Sequence, residues 1–230
     1  MRKLAVIAAL ALAACAAPLP QTPPSGQSAQ VGPPPVRTGQ ASTYVLHDGY
    51  TGLPRGTVTY RVGAVQDDDV TVDVTHDNRA STEHYTKDGN WRERPMANLQ
   101  DFRYDPPYAA LPFPLFAGKT WQAYVRATDP ATGKANRVRI DGAVLGWDRV
   151  RTPAGEFDAL KIRRYVYAGN AEFFKTEERI EEYDWYAPQP GVVVRHEARS
   201  EHMDMSMNCK GQCTIVRGDW IVAELAKPVR

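Results

Sequence analysis

The chain has 230 residues, 43% hydrophobic and 24% charged, and its formal net charge at pH 7 is +1. This length and apolar fraction suffice for one domain with a buried core. The balanced charge, without a basic stripe, argues against a nucleic-acid interface. The sequence contains no Gly-x-Ser-x-Gly, Gly-x-Gly-x-x-Gly, Walker or His-Glu-x-x-His pattern, so we expect a protein without enzymatic activity.

The N-terminus has the pattern of an export signal. Arg2 and Lys3 precede the apolar run Leu4–Leu12, which is shorter than the roughly 20 residues a membrane-spanning helix needs. Leu-Ala-Ala directly before Cys15 resembles a bacterial lipobox, which implies that residues 1–14 are a lipoprotein signal peptide and that Cys15 is acylated. The alternative is an ordinary signal peptide. Since Ala16 is not Asp, the resemblance implies an outer-membrane anchor facing the periplasm.

The next segment, residues 15–40, is rich in Pro, Gln, Ser, Gly and Thr. Such a composition buries too little apolar surface to offset the cost of ordering the chain. We therefore predict a disordered tether between the lipid and the domain, with docking of a partner on its prolines as the alternative.

Two cysteines remain if Cys15 is acylated. Cys209 and Cys213 are separated by three residues, which fits neither a thioredoxin-like C-x-x-C motif nor a zinc knuckle. In an exported chain this spacing predicts a disulfide across a short turn. Its role would be to pin the last hairpin.

Residues 41–230 are predicted to form one β-rich envelope domain. Val70, Val72 and Val74 alternate with polar residues, as in a half-buried strand. Lys87–Asn90 has the composition of a hairpin turn. β-branched and aromatic enrichment predicts strands over Ser42–His47, Thr57–Val65, Val70–Thr75, Ser81–Thr86 and Trp91–Arg94, then over a pair ending at Thr128 and Trp147.

A proline-rich stretch interrupts this series. Asp101–Phe116 contains four prolines, which remove backbone donors that a central strand or a helix would need. We predict an extended, aromatic-lined segment that crosses the domain.

The longest strand-like region is Thr152–Met207. It contains three β-type runs separated by breaks at Ala168–Asn170 and Pro188–Gly191. Three antiparallel strands of this length form a sheet that curls. The predicted fold is mainly β, a single antiparallel curved sheet, half-barrel or sandwich, with a concave surface.

Three short motifs in the second half of the chain carry a family resemblance. They are the FPL-x-x-GK-x-W pattern in Phe113–Trp121, the PAG-x-F pattern in Thr152–Ile162 and the WYAP-x-x-G-x-V pattern in Trp185–Val193. In this order they resemble TapB-like and related uncharacterised β-rich envelope lipoproteins of bacteria. The resemblance covers Ala110–Arg195 and implies a domain of unknown function with no catalytic residues to transfer.

Carboxylates crowd one predicted strand. They are Glu177, Glu178, Glu181, Glu182 and Asp184. Paired carboxylates would suit a hydrolase acting on glycosides. Cross-strand pairing with Lys161, Arg163 and Arg164 on the preceding strand is the favoured interpretation.

The segment His202–Met207 suggests a second alternative. His202, Met203, Met205 and Met207 offer imidazole and thioether groups, the soft ligands that select Cu(I). However, the three Met alternate along the chain, so in a strand they would share one face and fill the core. Periplasmic copper handling is the alternative, and a core role is favoured.

The function predicted from sequence is a non-enzymatic β-sheet module of the cell envelope. It would bind a partner protein, a glycan or a lipid-like ligand, and we predict no cofactor. Its membrane contact would be the lipid on Cys15.

Overall fold

The computed structural model describes residues 18–96, 101–169, 177–204 and 214–227. The acylation site Cys15, the cysteines Cys209 and Cys213, and the thioethers of Met205 and Met207 lie outside these ranges. The predictions that rest on them therefore stay predictions. Within the described ranges, no helix is long and apolar enough to cross a membrane.

Twelve strands account for most of the described chain beyond residue 40. In chain order they are β1 (Ala41–Asp48), β2 (Pro54–Gln66), β3 (Asp69–His76), β4 (Arg79–Tyr85), β5 (Trp91–Pro95), β6 (Asp101–Tyr108), β7 (Thr120–Thr128), β8 (Ala135–Thr152), β9 (Gly155–Ala168), β10 (Glu178–Ala187), β11 (Val192–Asp204) and β12 (Thr214–Lys227). The three predicted runs of the longest region are β9, β10 and β11, which are neighbours in the sheet.

The sheet closes into a barrel. Each strand pairs antiparallel with its neighbours in sequence, and β1 also pairs with β12, so that Tyr44 lies opposite Leu225 and His47 opposite Val222. The antiparallel β character agrees with the sequence analysis, but the predicted single curved sheet, half-barrel or sandwich is wrong. Closure gives the first and last strands partners and removes the exposed edges that an open sheet would keep.

Side chains alternate between the interior and the outer wall. Ile140, Val166 and Ile180 lie opposite one another on β8, β9 and β10 and are buried in the interior. One position along, Tyr167 and Arg179 face outward. Because side chains alternate along each strand, every second residue of β9 to β12 lies on a single outer surface.

The proline-rich stretch contains a strand after all. Asp101–Tyr108 forms β6, and its ladder with β7 runs over Arg103–Asp105. Pro106 and Pro107 lie beyond that ladder, where no backbone donor is required. The prediction that prolines exclude a strand here was wrong because they occupy only its last part.

Part of the predicted tether lies against the barrel. Val31 is buried and exchanges two backbone hydrogen bonds with Leu115, both of 2.8 Å. The N–H of Trp147 donates to the carbonyl of Pro20 at 2.8 Å. The predicted domain boundaries at residues 14 and 40 stay predictions, and these contacts were not anticipated.

Candidate binding groove

A groove crosses the outer wall of the barrel over β9 to β12. It consists of two adjoining cavities of about 730 and 500 Å³ that share Glu181, Arg199 and Trp220. We call this feature the outer groove. Its remaining lining residues are Tyr50, Asp148, Arg149, Val150, Arg151, Lys161, Tyr165, Val166, Tyr167, Arg179, Ile180, Tyr183, Trp185, Arg195, Glu197, Ser200, Glu201 and Arg217.

Strand register brings the floor of the outer groove together. Tyr165 lies opposite Glu181, Glu181 opposite Arg199, and Arg199 opposite Trp220. These four residues form one row across β9, β10, β11 and β12. Because they occupy equivalent outward positions, their side chains alternate aromatic, acidic, basic and aromatic across the floor.

The β8–β9 hairpin forms one wall of the outer groove. The ladder between β8 and β9 changes register between Val144 and Gly146, and beyond this irregularity Val150 and Trp185 belong to one buried cluster. The indole N–H of Trp185 donates to Asp148 Oδ2 at 2.7 Å. This hydrogen bond fixes the hairpin to the floor.

The other end of the outer groove is aromatic. Tyr50, in the loop after β1, makes an edge-to-face contact with Trp220, with ring centroids 5.4 Å apart. Such a contact is favoured by the charge distribution of the rings. It leaves Tyr50 48% exposed at the end of the groove.

The outer groove carries an excess of positive charge. Its lining has seven Lys and Arg side chains against four Asp and Glu, whereas the whole chain is nearly neutral. Arg179 and Arg217 have no carboxylate within 4 Å among the described residues. In the ladders both arginines lie opposite Glu201, which also lines the groove, so they form a second charged row beside the floor.

Glu181 is held as a carboxylate. It accepts hydrogen bonds from the Tyr183 hydroxyl at 2.7 Å and from the Arg199 guanidinium. Burial raises the pKa of Glu181, but the bonds from Tyr183 and Arg199 outweigh that effect and the pKa falls below its ordinary value. A carboxyl group in this state is a poor proton donor at neutral pH.

Cations on the floor also lie over aromatic rings. Lys161 Nζ is 4.4 Å from the ring centroid of Trp185 and 5.0 Å from that of Tyr183, and the Arg163 guanidinium is 4.6 Å from that of Tyr165. These are cation–π distances. Among the described residues, neither Lys161 nor Arg163 has a carboxylate of the acidic strand within 4 Å, contrary to the prediction.

The acidic strand is divided between the two faces of β10. Glu181 faces the outer groove, whereas Glu182 and Asp184 point into the interior and are buried. There they share Arg164, with Arg164 Nε 2.8 Å from Glu182 Oε2 and Arg164 Nη2 2.7 Å from Asp184 Oδ2. Pairing with the preceding strand was predicted correctly for Arg164 alone.

Of the four residues in the copper alternative, His202 and Met203 lie in the described ranges. His202 Nδ1 lies 3.3 Å from Glu178 Oε2, and His202 and Met203 are consecutive in β11, so they face opposite ways. No group of three or more His, Cys, Asp or Glu in the described ranges could hold a metal ion. The thioether part of that alternative lies outside the described residues.

The outer groove was not among the features predicted from sequence. A signal was present, because Arg163, Tyr165 and Tyr167 and likewise Glu181, Tyr183 and Trp185 alternate in β9 and β10. Outward positions of a half-buried strand normally mix polar residues with few large rings. Rings and charges together on one face of two adjacent strands indicate a binding surface.

Comparisons with known proteins leave the family open. No protein-family model matches the chain, and no curated protein matches it significantly. Three solved structures align with most of it. A Bacteroides fragilis protein described as exported and of YmcC-like fold shares 16% identity over 88% of this chain and all of its own, with a TM-score of 0.46.

The other two structures are both of proteins described as lipoproteins. A Parabacteroides distasonis protein described as a lipoprotein shares 18% identity over 89% of this chain and all of its own, with a TM-score of 0.49. Escherichia coli YmcC, described as a hypothetical lipoprotein, shares 12% identity over 81% of this chain and 84% of its own, with a TM-score of 0.41. The TapB-like resemblance stays a prediction.

Proposed function

We propose that this protein is a non-enzymatic glycan-binding module of the cell envelope, and that the outer groove holds an extended glycan bearing acidic groups. Cys15 would anchor the barrel to the outer membrane on its periplasmic side. The observation that carries the proposal is the combination, along one groove, of accessible rings with guanidinium groups that have no carboxylate within 4 Å among the described residues.

The rings suit a sugar. The C–H face of a pyranose packs against an aromatic ring, and its hydroxyl groups reach polar groups beside that ring. Tyr50 and Tyr165 are 48% and 38% exposed, and Trp220, in the same floor row as Tyr165, contacts the ring of Tyr50. Charged neighbours such as Glu181 and Arg199 offer the hydrogen bonds.

The charges suit an acidic substituent. A planar guanidinium group binds a carboxylate or phosphate through two parallel hydrogen bonds. Arg179 and Arg217 lie at the end of the outer groove and have no described acidic partner within 4 Å. A uronate-containing chain would thus be held at its rings by Tyr165 and at its acid groups by these arginines.

The other ligand classes fit the outer groove less well. A lipid-like ligand needs continuous apolar surface, whereas charged residues interrupt these rings. A catalytic role would need a proton donor, and Glu181 is held ionised by Tyr183 and Arg199. Binding without reaction is the function that this chemistry favours.

The test is a calorimetric titration of the purified chain with oligouronate, using neutral dextran oligosaccharide as the comparison ligand. We expect saturable binding of oligouronate and none of dextran. Tyr165→Ala and Arg217→Ala should each weaken binding about tenfold, the equivalent of 1.4 kcal/mol. Matched controls on the outer wall beyond the groove are Tyr124→Ala and Arg126→Ala, since Tyr124 is 45% exposed. Equal loss in the control variants, or no binding of oligouronate, would refute the proposal.

A further inference from the structure

A second, apolar cavity lies at one end of the barrel. The segment Val31–Gln40, which we call the proline strap, passes over this end. Between the strap and the inner face of β2 and β3 lies a cavity of about 200 Å³. Apolar side chains dominate its lining, among them Pro34, Val36, Val62, Val70, Val72 and Val192. It shares no residue with the outer groove.

The proline strap is attached at its two ends. Val31 exchanges backbone hydrogen bonds with Leu115, while Gly39 donates to the Val62 carbonyl at 2.7 Å and Val62 donates to Gln40 at 2.8 Å. Residues 32–38 make no backbone hydrogen bond to any described residue of the barrel. The three prolines at 33–35 have no N–H to offer. The middle of the strap can therefore lift while both ends stay attached.

The middle of the strap packs closely against Gly191. Gly191, in the turn between β10 and β11, has φ +69°, and a Cβ added there would lie 2.8 Å from Pro34 Cβ. A side chain at this position would push the strap away from the barrel. Gly52 has nearly the same backbone, φ +70°, with nothing within 4 Å of an added Cβ. The two glycines form a matched pair that separates backbone strain from contact with the strap.

We propose that the cavity beneath the proline strap is a binding site for the acyl chain of a lipid, with the strap as its lid. The cavity exceeds the roughly 150 Å³ of apolar protein cavities that take up benzene. Polar lining is confined to Gln40, Ser42 and Thr86 and to the hydroxyl groups of two tyrosines. None of these side chains is charged at neutral pH, since a tyrosine hydroxyl ionises only at about pH 10.

The occupant follows from the surroundings of the chain. The predicted acylation of Cys15 would hold the barrel beside a bilayer, where acyl chains are the most concentrated apolar groups. A neutral cavity of this size accepts the end of such a chain by burying its methylene groups, at roughly 0.8 kcal/mol each. The charged headgroup would remain outside, past the polar rim.

The test uses the full chain carrying Cys15→Ser, which removes the predicted acylation site, and cis-parinaric acid as a fluorescent acyl probe. We expect saturable binding of one probe molecule per chain and displacement by decanoic acid. Val62→Phe fills the cavity and should weaken binding about tenfold or more. Arg61→Phe, on the opposite face of β2, is its control, and circular dichroism checks that both variants fold.

The lid is tested by dissociation kinetics. Gly191→Ala should raise the rate of probe dissociation several-fold, because it displaces Pro34, whereas Gly52→Ala should leave it unchanged. The proposal fails if the Cys15→Ser chain shows no saturable binding, or if Val62→Phe binds the probe as tightly. It also fails if the two glycine variants behave alike. None of these outcomes depends on the ligand of the outer groove.

Discussion

Arg164 and Glu182 face each other inside the barrel, with Arg164 Nε 2.8 Å from Glu182 Oε2 and both side chains fully buried. The Tyr108 hydroxyl donates to the same carboxylate oxygen at 2.7 Å, and Arg164 Nη1 donates to the Ala110 carbonyl at 3.0 Å. Asp184 adds a second carboxylate to the one guanidinium. The interior therefore depends on Arg164 to compensate two buried acids.

Replacing that arginine should strongly destabilise the barrel. We predict that Arg164→Met lowers the free energy of unfolding by about 3–5 kcal/mol, because it leaves Glu182 buried without its cation and Asp184 with His196 in place of the guanidinium. Urea denaturation measures this change. Arg163→Met, at the neighbouring outward position, is the control and should cost under about 1 kcal/mol. If Arg164→Met lost as little stability as Arg163→Met, the buried pair would not stabilise the fold.

Acid should remove the contribution of Asp184. Burial raises its pKa, but Arg164 and His196 outweigh burial and hold the pKa below the ordinary value of 3.8. The unfolded chain then binds a proton more readily, so this contribution is complete above pH 3.8 and is lost as the pH falls through the lower folded value. Asp184→Asn should have a flatter stability curve below pH 4. An unchanged acid slope in this variant would refute the prediction.

Alkali should weaken the barrel through its buried tyrosines. Burial raises the pKa of Tyr60 to about 12 from an ordinary 10. The folded state then keeps a proton that the unfolded state loses, so stability is complete below pH 10 and falls between pH 10 and about 12. Tyr60→Phe should reduce this fall, as measured by thermal unfolding at a series of pH values. Tyr124→Phe, on the exposed outer wall, should reproduce the original curve.

The hairpin wall of the outer groove should depend on one hydrogen bond. Asp148→Ala leaves the indole N–H of Trp185 without its acceptor, which we expect to cost about 1–3 kcal/mol. It should also shift the tryptophan fluorescence, since the indole loses a charged neighbour. Asp158→Ala, on the same hairpin, is the control. Identical fluorescence in the two variants would contradict this account of the wall.

The strands could be predicted from sequence because their information is local. Val70, Val72 and Val74 alternate with polar residues, and they lie buried in β3 as that pattern requires. The runs between residues 152 and 204 likewise became adjacent strands, since turn-forming residues separate them. The local pattern determines which residues face inward, whether the sheet is open or closed into a barrel.

Closure and the outer groove could not be predicted in the same way. Tyr44 meets Leu225 from the far end of the chain, and an open sheet would show the same alternation in both strands. The groove joins Tyr165 to Trp220 through register across four strands, and no local pattern encodes that register. The bend that brings Asp148 onto Trp185 depends on one irregularity between β8 and β9. Each feature is set by long-range pairing.

The most direct test of the proposed glycan site is a nuclear magnetic resonance titration of the aromatic rings with oligouronate. We expect the ring signals of Tyr165 and Trp220 to shift together and saturate, while those of the exposed ring of Tyr124, beyond the groove, stay fixed. Signals that stay fixed throughout the titration, or a shift at Tyr124 equal to that at Tyr165, would contradict it.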